Sequence, residues 1–279
     1  KNTLKNIGLA SHNYHDVYNT FPPGTIGPGG HRAQDFNGVW GNGAPPHGTL
    51  ALNHTGWIAL LPYIEQSALY NQFNLDQATN NFYRNSMTGV KGGWPNDNTE
   101  LVKTKISPFM CPSDASDGLS RRSDVAGYFA DHARTSYLFC AGGHGNGWDL
   151  DRPWGRFRGL SSAVADGRKT IQYQGIYGHD QSARIRDITD GTSNTVAFCE
   201  SLSKVSSNPE VFGRRHDAYT PIWAGHRRYG TFAVNHPNSQ NHINNARYHI
   251  NGPVHVAGMI GSSTNDVRVH LAVASSIHT

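Results

Sequence analysis

The sequence has little formal charge, no long apolar run and no cluster of basic residues. Charged residues make up 16% of the 279 residues, and the net charge is only +4. Lysine and arginine never form a run longer than two, whereas a nucleic-acid-binding surface needs a basic patch or stripe. The longest apolar run, residues 57–64, contains Pro62 and is far shorter than the ~20 residues of a membrane-spanning helix. We therefore expect no nucleic-acid partner and no membrane span within these residues.

Cysteine is also scarce, and its three positions are widely separated: Cys111, Cys140 and Cys199. This spacing does not match the close pairs that hold zinc. The odd number leaves two interpretations open. The thiols are three small buried side chains, or one disulfide forms and one thiol has its partner outside this sequence. A nucleophilic Cys111 would need a basic neighbour that lowers its pKa, and the sequence shows none.

Glycine and proline are abundant, with 31 and 14 residues. This composition predicts long loops, especially over residues 25–53 and 74–97. Hydrophobic residues make up 37% of the chain, and a chain of this length can bury a sizeable core.

Residues 1–24 form the stretch with the clearest helical periodicity. Apolar and aromatic side chains recur at steps of three and four, which places them on one face of a helix. Prolines 22 and 23 are expected to stop this helix. The periodicity is under way at the first residues without a capping pattern, which predicts a helix that continues upstream. The residues of this face are Leu4, Ile7, Ser11, Tyr14 and Tyr18.

Further elements follow from local pattern. Thr55 is positioned to cap a second helix over residues 56–73, with Pro62 in its first turns. A short helix is expected over 100–106. Strands are predicted over residues 135–140, 171–178, 195–199, 219–224 and 229–235. The dipeptide Asp190-Gly191 predicts a tight turn before the strand at 195–199.

Several residues have side chains that can bind a metal ion. His12 and His15 lie three apart on one helix and could share a metal with Asp16, although a packed or surface histidine pair is the simpler interpretation. Asp149 and Asp151 lie in a glycine-rich stretch, which suggests ordinary turns or, as the weaker alternative, a structural calcium site.

No complete set of nucleophile, base and orienting group is present in the sequence, so we expect no enzymatic activity and no cofactor. Ser193 lies outside any Gly-x-Ser-x-Gly elbow. Glu200, at the end of an apolar strand, is expected to be a partnered structural carboxylate.

Three stretches, in collinear order, resemble a large bacterial family of prepilin-type proteins. The first is LKNIGLASHNYHD (4–16) followed by FPPG (21–24), the second is Cys111-Pro112-Ser113-Asp114, and the third is IRDITDGTSNTVAFCE (185–200). Proteins of this family carry a cleavage and methylation segment. They then have a domain of unknown function that is sometimes filed with solute-binding proteins. A C-terminal His-to-Asp-Gly signature is matched in part by residues 249–269, where Val267 stands in place of glycine.

The resemblance implies an α+β fold, with an N-terminal helix packed on an antiparallel β-sheet and long loop insertions. Residues 1–24 would be the end of the N-terminal helix and its proline stop, and residues 25–279 a single pilin-like domain. The family motif residues within it are His12, His15, Asp16, Cys111, Pro112, Ser113, Asp114, Asp190, Gly191, Ser193, Asn194 and Glu200.

The function that the resemblance implies is structural: a subunit of a type IV pilus-like or type II secretion pseudopilin-like assembly, exported to the bacterial surface. Partners would be like subunits, and the membrane would be reached only through an apolar helix upstream of residue 1. In such a subunit, Tyr14 and Tyr18 should pack on the subunit's own sheet, and Leu4 and Ile7 should meet neighbours. Cys111 could form a disulfide with another cysteine of the chain or with one upstream. The alternative function is an extracellular carbohydrate- or solute-binding module.

Overall fold

The structure is a computed structural model of the whole chain. It describes residues 2–29, 50–82, 89–114, 118–120, 131–140, 176–178, 180, 182–189, 191–200 and 221–225, and the backbone of four short strands nearer the C-terminus. The predictions for Asp149, Asp151 and Asp190 lie outside the described residues, as does most of the strand predicted at 171–178.

The first helix, α1, extends from Asn2 to Tyr18 and confirms the helix predicted from periodicity. Its inward face is fully buried at Ile7, Ala10 and Ser11. These residues recur at steps of three and one, as expected for one side of a helix packed on a core.

The helix ends before the prolines that were expected to stop it. Asn19 has a left-handed backbone conformation with φ of 56°, and its N–H donates to the carbonyl of His15 at 2.7 Å. Asparagine tolerates this conformation better than most residues, so it can take the position usually held by glycine at a helix end.

The single helix predicted for residues 56–73 is wrong. The segment consists of helix α2 (Gly56–Leu60), a 3-10 helix (Leu61–Ile64) and helix α3 (Ser67–Tyr70). Pro62 lacks the N–H that would continue α2, and Glu65 turns the chain with a left-handed φ of 63°. Thr55 occupies the cap position, but its hydroxyl donates to the carbonyl of Trp223 instead of capping the helix.

The central sheet contains the two strands that the sequence predicted most clearly. Its order is β10 (Ser275–Ser276), β6 (Val196–Glu200), β5 (Tyr137–Cys140) and β7 (Phe232–Ala233). β6 is antiparallel to both β5 and β10, whereas β7 is parallel to β5. The sheet was expected to be antiparallel, and two of its three pairings are; the pairing of β5 with β7 is parallel.

One face of β5 and β6 forms the floor of the main core. Phe139 lies directly opposite Phe198 in the strand register. The ring of Trp57 from α2 lies 4.3 Å from that of Phe139 and 5.7 Å from that of Phe198, measured between centroids. Tyr177 contacts the same two phenylalanines. These large aromatic side chains bury the apolar surface that stabilises the sheet.

Three shorter ladders complete the described strands, and two of them involve residues of the predicted loops 25–53 and 74–97. β1 (Thr25–Ile26) pairs antiparallel with β3 (His54–Thr55), β2 (Leu50–Ala51) pairs parallel with β4 (Gly89–Val90), and β8 (Pro253–His255) pairs antiparallel with β9 (Asp266–Arg268). Single 3-10 turns occupy Leu101–Lys103, Ser107–Phe109, Ile185–Asp187 and Thr192–Asn194. The short helix expected at 100–106 is thus only one turn.

Buried asparagine side chains hold the loops together where backbone ladders are short. The Asn98 amide donates to the carbonyls of Asn74 and Gln77, and its oxygen accepts the N–H of Asn74. Asn53 likewise accepts the N–H of Gly29 and donates to the carbonyl of Phe82. These bonds satisfy backbone groups that no strand partner reaches.

The described residues form a mixed α/β structure with few helices and small sheets. No helix among them is both long and apolar enough to cross a bilayer.

Candidate functional site

Two of the sequence motifs meet close to the first turn of α1. The Cys111 thiol is hydrogen-bonded to the carboxylate of Glu200. The hydroxyl of Tyr137, on the strand opposite Glu200, bonds to the side chains of Cys111 and Thr3. The motif at residues 111–114 is thereby joined to the end of β6 and to α1.

The Cys-Pro-Ser-Asp motif is a closed turn. The N–H of Asp114 donates to the carbonyl of Cys111 at 2.9 Å. Ser136, next to β5, accepts the N–H of Cys111 and donates to the Asp114 carboxylate, each at 3.0 Å. Pro112 and Ser113 are exposed at the tip of this turn. The motif residues therefore fix a turn against the sheet, as turn-forming side chains do.

The surroundings of Cys111 favour its neutral thiol. Burial, followed by the hydrogen bond with Glu200, raises the pKa of Cys111 above its ordinary value. Burial also raises the pKa of Tyr137 to about 12. A nucleophilic cysteine needs the opposite shift, because the thiolate is the reactive form.

The end of α1 is tied to the segment that begins the third motif. The ring Nε2 of His15 accepts the N–H of Ile185 at 3.2 Å. The hydroxyls of Thr20 and Ser182 lie 3.0 Å apart, and the N–H of Phe21 donates to the carbonyl of Ala183 at 3.0 Å. His15 thus has a structural role that sequence reasoning did not assign.

The histidine pair does not form a metal-binding group with Asp16 in the structure. Among the described residues, no group of three histidine, cysteine or acidic side chains could hold a metal ion. Nε2 of His12 is buried without a hydrogen-bond partner, and the His12 ring contacts Phe21 edge-on at 5.8 Å. Burial, then the nearby His15, lowers the pKa of His12, and Asp16 opposes this shift in part.

The remaining motif residues lie at the approach to β6. Gly191 has a positive φ of 87° and precedes the 3-10 turn Thr192–Asn194. The N–H of Asn194 and the hydroxyl of Thr195 both donate to the Gly191 carbonyl at 3.1 Å. Ser193 and Asn194 are exposed. Their surroundings are those of a tight turn, consistent with the turn expected here.

Four tyrosines converge on the surface where α1 crosses the 3-10 helix 61–64 and α3. This tyrosine cluster consists of Tyr14, Tyr18, Tyr63 and Tyr70. The rings of Tyr14 and Tyr18 lie 4.4 Å apart, and Tyr63 meets Tyr14 edge-on at 5.9 Å. The hydroxyls of Tyr18 and Tyr63 are hydrogen-bonded. Burial, followed by the neighbouring hydroxyls, raises the pKa of Tyr14 to about 12, so this side chain stays neutral.

Two expectations about the α1 stripe are wrong. Ile7 was expected to face neighbouring subunits, but it is fully buried in the core of its own chain, and Leu4 is partly buried against that core. Tyr18 was expected to pack on the sheet, but it is 56% exposed. Tyr14 is partly buried, and it packs against the core and the other members of the tyrosine cluster. Sequence reasoning missed Tyr63 and Tyr70 because they belong to a segment expected to be one regular helix.

Cys111 is not paired with Cys140 or Cys199, two of the three partners expected for it, and the third, a cysteine upstream of this sequence, stays a prediction. None of the three cysteines is in a disulfide. Cys111 lies on the face of the sheet that carries Tyr137 and Glu200, whereas Cys140 and Cys199 point to the opposite face, because side chains alternate along a strand.

Residues 1–270 match the model of the SBP_bac_10 family, described as "Protein of unknown function (DUF1559)". The match spans nearly the whole chain and contains all the motifs above. No match was found among curated proteins or among solved structures.

Proposed function

The chain belongs to the DUF1559 family of proteins of unknown function, and we propose that it is a non-catalytic subunit of an extracellular pilus-like or pseudopilin-like assembly. In this proposal α1 is the element through which subunits contact one another. The resemblance of residues 4–24 to prepilin-type proteins supports this role, as does the export to the cell surface that the resemblance implies.

The observation that carries the proposal is the exposed apolar surface of α1. Leu9, Val17 and Tyr18 are 59%, 64% and 56% exposed, and they are half of the six large hydrophobic side chains exposed among the described residues. Leu9, Asn13 and Val17 follow one another at steps of four, so they lie on one side of the helix. Leu9 and Val17 are thus two exposed apolar side chains on one side of α1, with the polar Asn13 between them, and a neighbouring subunit would bury them.

The opposite side of α1 holds the helix firmly in place. Ile7 and Ala10 are buried in the core, and Ser11 is hydrogen-bonded to Tyr177. Leu9 and Val17 are therefore presented on a rigid support, which lowers the entropy lost when a neighbour binds.

The test is made on the full-length gene product, with filaments or complexes observed by electron microscopy. Replacing Leu9 and Val17 by lysine removes the exposed apolar surface and places charge in its stead, and assembly should be lost. Lysine suits the helix because it has good helix propensity and a favourable charge near the C-terminal end.

The matched control replaces Asn6 and Asn13 by lysine on the same exposed side of α1. This variant adds the same two positive charges as the Leu9 and Val17 variant but removes no apolar surface. Its assembly should therefore persist at both low and high salt concentration. Thermal unfolding should show both variants folded. Normal filaments from the Leu9 and Val17 variant would refute α1 as the assembly element.

The tyrosine cluster favours a second candidate function, an extracellular carbohydrate-binding module. Its rings offer apolar faces, its hydroxyls offer neutral donors and acceptors, and the raised pKa of Tyr14 keeps that side chain uncharged. Tyrosine is well suited to binding surfaces because it combines a rigid ring with a polar tip.

Titration calorimetry with a panel of neutral oligosaccharides tests this second function. Binding should be lost in Tyr18→Ala and weakened in Tyr18→Phe, which keeps the ring and removes the hydroxyl. Leu75→Ala is the control, because Leu75 is exposed but lies outside the cluster. If no oligosaccharide gives a heat of binding, or if the heat of binding is the same for Tyr18→Ala and the native protein, there is no sugar site at this cluster.

A further inference from the structure

Cys140 and Cys199 lie next to each other on the face of the central sheet that points away from Trp57. Leu138 is directly opposite Cys199 in the register of β5 and β6. Cys140 is two residues further along β5, so it lies on the same face as Leu138 and diagonally across from Cys199. The two cysteines and Leu138 form a small apolar cluster of their own, separate from the main core.

Both sulfur atoms are enclosed, and they touch. Cys140 is 4% exposed and Cys199 is 1% exposed. The two thiols are hydrogen-bonded to each other, and this bond, together with burial, raises the pKa of Cys199 far above its ordinary value. The folded chain thus holds two sulfurs in contact in a site from which water is excluded.

We propose that Cys140 and Cys199 form an intrachain disulfide that links β5 to β6 when the chain folds in an oxidising environment. The proposal does not depend on the assembly function, since it concerns the interior of a single chain. It assigns Cys111 the role of the unpaired thiol.

The bond forms by thiol–disulfide exchange with a small-molecule disulfide such as oxidised glutathione. The thiolate of one cysteine attacks a glutathione sulfur, and one reduced glutathione leaves. The second cysteine loses its proton to water and attacks the mixed disulfide, releasing a second reduced glutathione. The two cysteines lose two electrons in total, and the oxidised glutathione gains them.

Exchange should take place during folding and be slow in the folded protein. The raised pKa of Cys199 makes the reactive thiolate scarce once the sheet has formed. Burial also keeps the oxidant from both sulfurs. The pair therefore acts as a structural link and not as a switch that responds to redox changes after folding.

Closing the bond requires a small local adjustment. Diagonal neighbours in a sheet have Cα atoms about 7–8 Å apart, whereas a disulfide spans about 4.4–6.8 Å. Cys140 is the last residue of β5, and the register of β5 with β6 is given by the pairs at residues 137–139. The strand end must move toward β6 and away from Ala233 of β7, with which Cys140 is paired.

The experiment refolds the full chain in a buffer of reduced and oxidised glutathione, followed by alkylation of the remaining thiols in denaturant, which exposes the buried cysteines. Intact mass and peptide mapping should show one alkylated cysteine, Cys111, and a linked pair of peptides containing Cys140 and Cys199. The oxidised protein should unfold at a higher urea concentration than the reduced protein. Folded, reduced protein given the same buffer should keep three alkylatable thiols for much longer.

Two variants sharpen the result. Cys111→Ser should leave no thiol to alkylate after refolding, with the same linked peptides. Cys199→Ser should retain two alkylatable thiols. If this variant fails to refold, the peptide maps of the native chain and of Cys111→Ser still show whether Cys140 and Cys199 are linked. Three alkylated cysteines after oxidative refolding would overturn the proposal, and so would a disulfide between Cys111 and either Cys140 or Cys199.

Discussion

The hydroxyl groups of Ser11 and Tyr177 lie 3.1 Å apart in the protein interior, although 166 residues separate them in the sequence. Both side chains are buried, so each hydroxyl depends on the other for a partner away from water. Burial raises the pKa of Tyr177 well above its ordinary value, which keeps the phenol neutral.

We expect Tyr177→Phe to lower the free energy of unfolding by about 1–3 kcal/mol, because it leaves the Ser11 hydroxyl buried without this partner. Ser11→Ala should have a similar effect. The double variant should lose less than the sum of the two, since it removes both hydroxyls together. Urea unfolding of all four proteins measures this coupling, and strictly additive losses would show that the two hydroxyls do not interact.

Two leucine-sized residues on opposite sides of α1 should respond differently to truncation. Ile7→Ala should lower the free energy of unfolding by about 2–5 kcal/mol, because it leaves a cavity in the core. Leu9→Ala should change it by no more than about 0.5 kcal/mol, since Leu9 is largely exposed. Chemical denaturation distinguishes these effects. Equal losses would mean that α1 is rotated from the orientation described.

Two glycines provide a second matched pair. Nothing lies within 4 Å of a Cβ built on Gly8, so Gly8→Ala should stabilise the protein by about 0.5–1 kcal/mol through helix propensity. A Cβ on Gly56 would collide with the carbonyl of Pro23 and lie 2.9 Å from Cζ of Phe139. Gly56→Ala should therefore destabilise the protein by about 1–3 kcal/mol. Thermal unfolding compares the two, and a stabilising Gly56→Ala would contradict the close packing at the start of α2.

Stability should fall in mild acid because of His12. Burial and His15 lower the pKa of His12 below its ordinary value of 6.5. Below pH 6.5 the unfolded chain protonates His12 more readily than the folded chain does, so the free energy of unfolding decreases as the pH falls. The decrease ends below the pKa of His12 in the folded chain. Urea unfolding between pH 8 and pH 5 measures the slope. The slope should be smaller in His12→Gln, and an unchanged slope in this variant would exclude His12 as its source.

Sequence pattern predicted the elements whose structure depends on neighbouring residues. The spacing of Ile7 and Ser11 identified α1, and the β-rich runs identified β5 and β6, because local periodicity and residue type decide these features. The same pattern could not say what covers each face. Periodicity shows that Leu4 and Ile7 share a side of the helix, but only the packed structure shows that this side faces the chain's own core.

Other features depended on long-range contacts that no local pattern records. The hydroxyl of Thr55 bonds to Trp223, and the turn at Glu65 brings Tyr63 and Tyr70 toward α1. The alternation of side chains along β5 and β6 was readable, but the shared face of Cys140 and Cys199 required the strand register. The parallel pairing of β7 with β5 likewise depends on tertiary contacts and not on local sequence.

The links between α1 and the residues around 180 bear on how the chain is made. Ser11, Thr20 and His15 reach partners that are 166, 162 and 170 residues later in the sequence. At about 5–20 residues per second, a ribosome needs on the order of ten seconds or more to deliver those partners. During that interval α1 can pack on segments made earlier, such as residues 56–64, but the bonds of Ser11, Thr20 and His15 cannot form. Such distant contacts also slow folding itself. The N-terminal helix therefore gains its full set of contacts only late in synthesis, after residues 177–185 have left the ribosome.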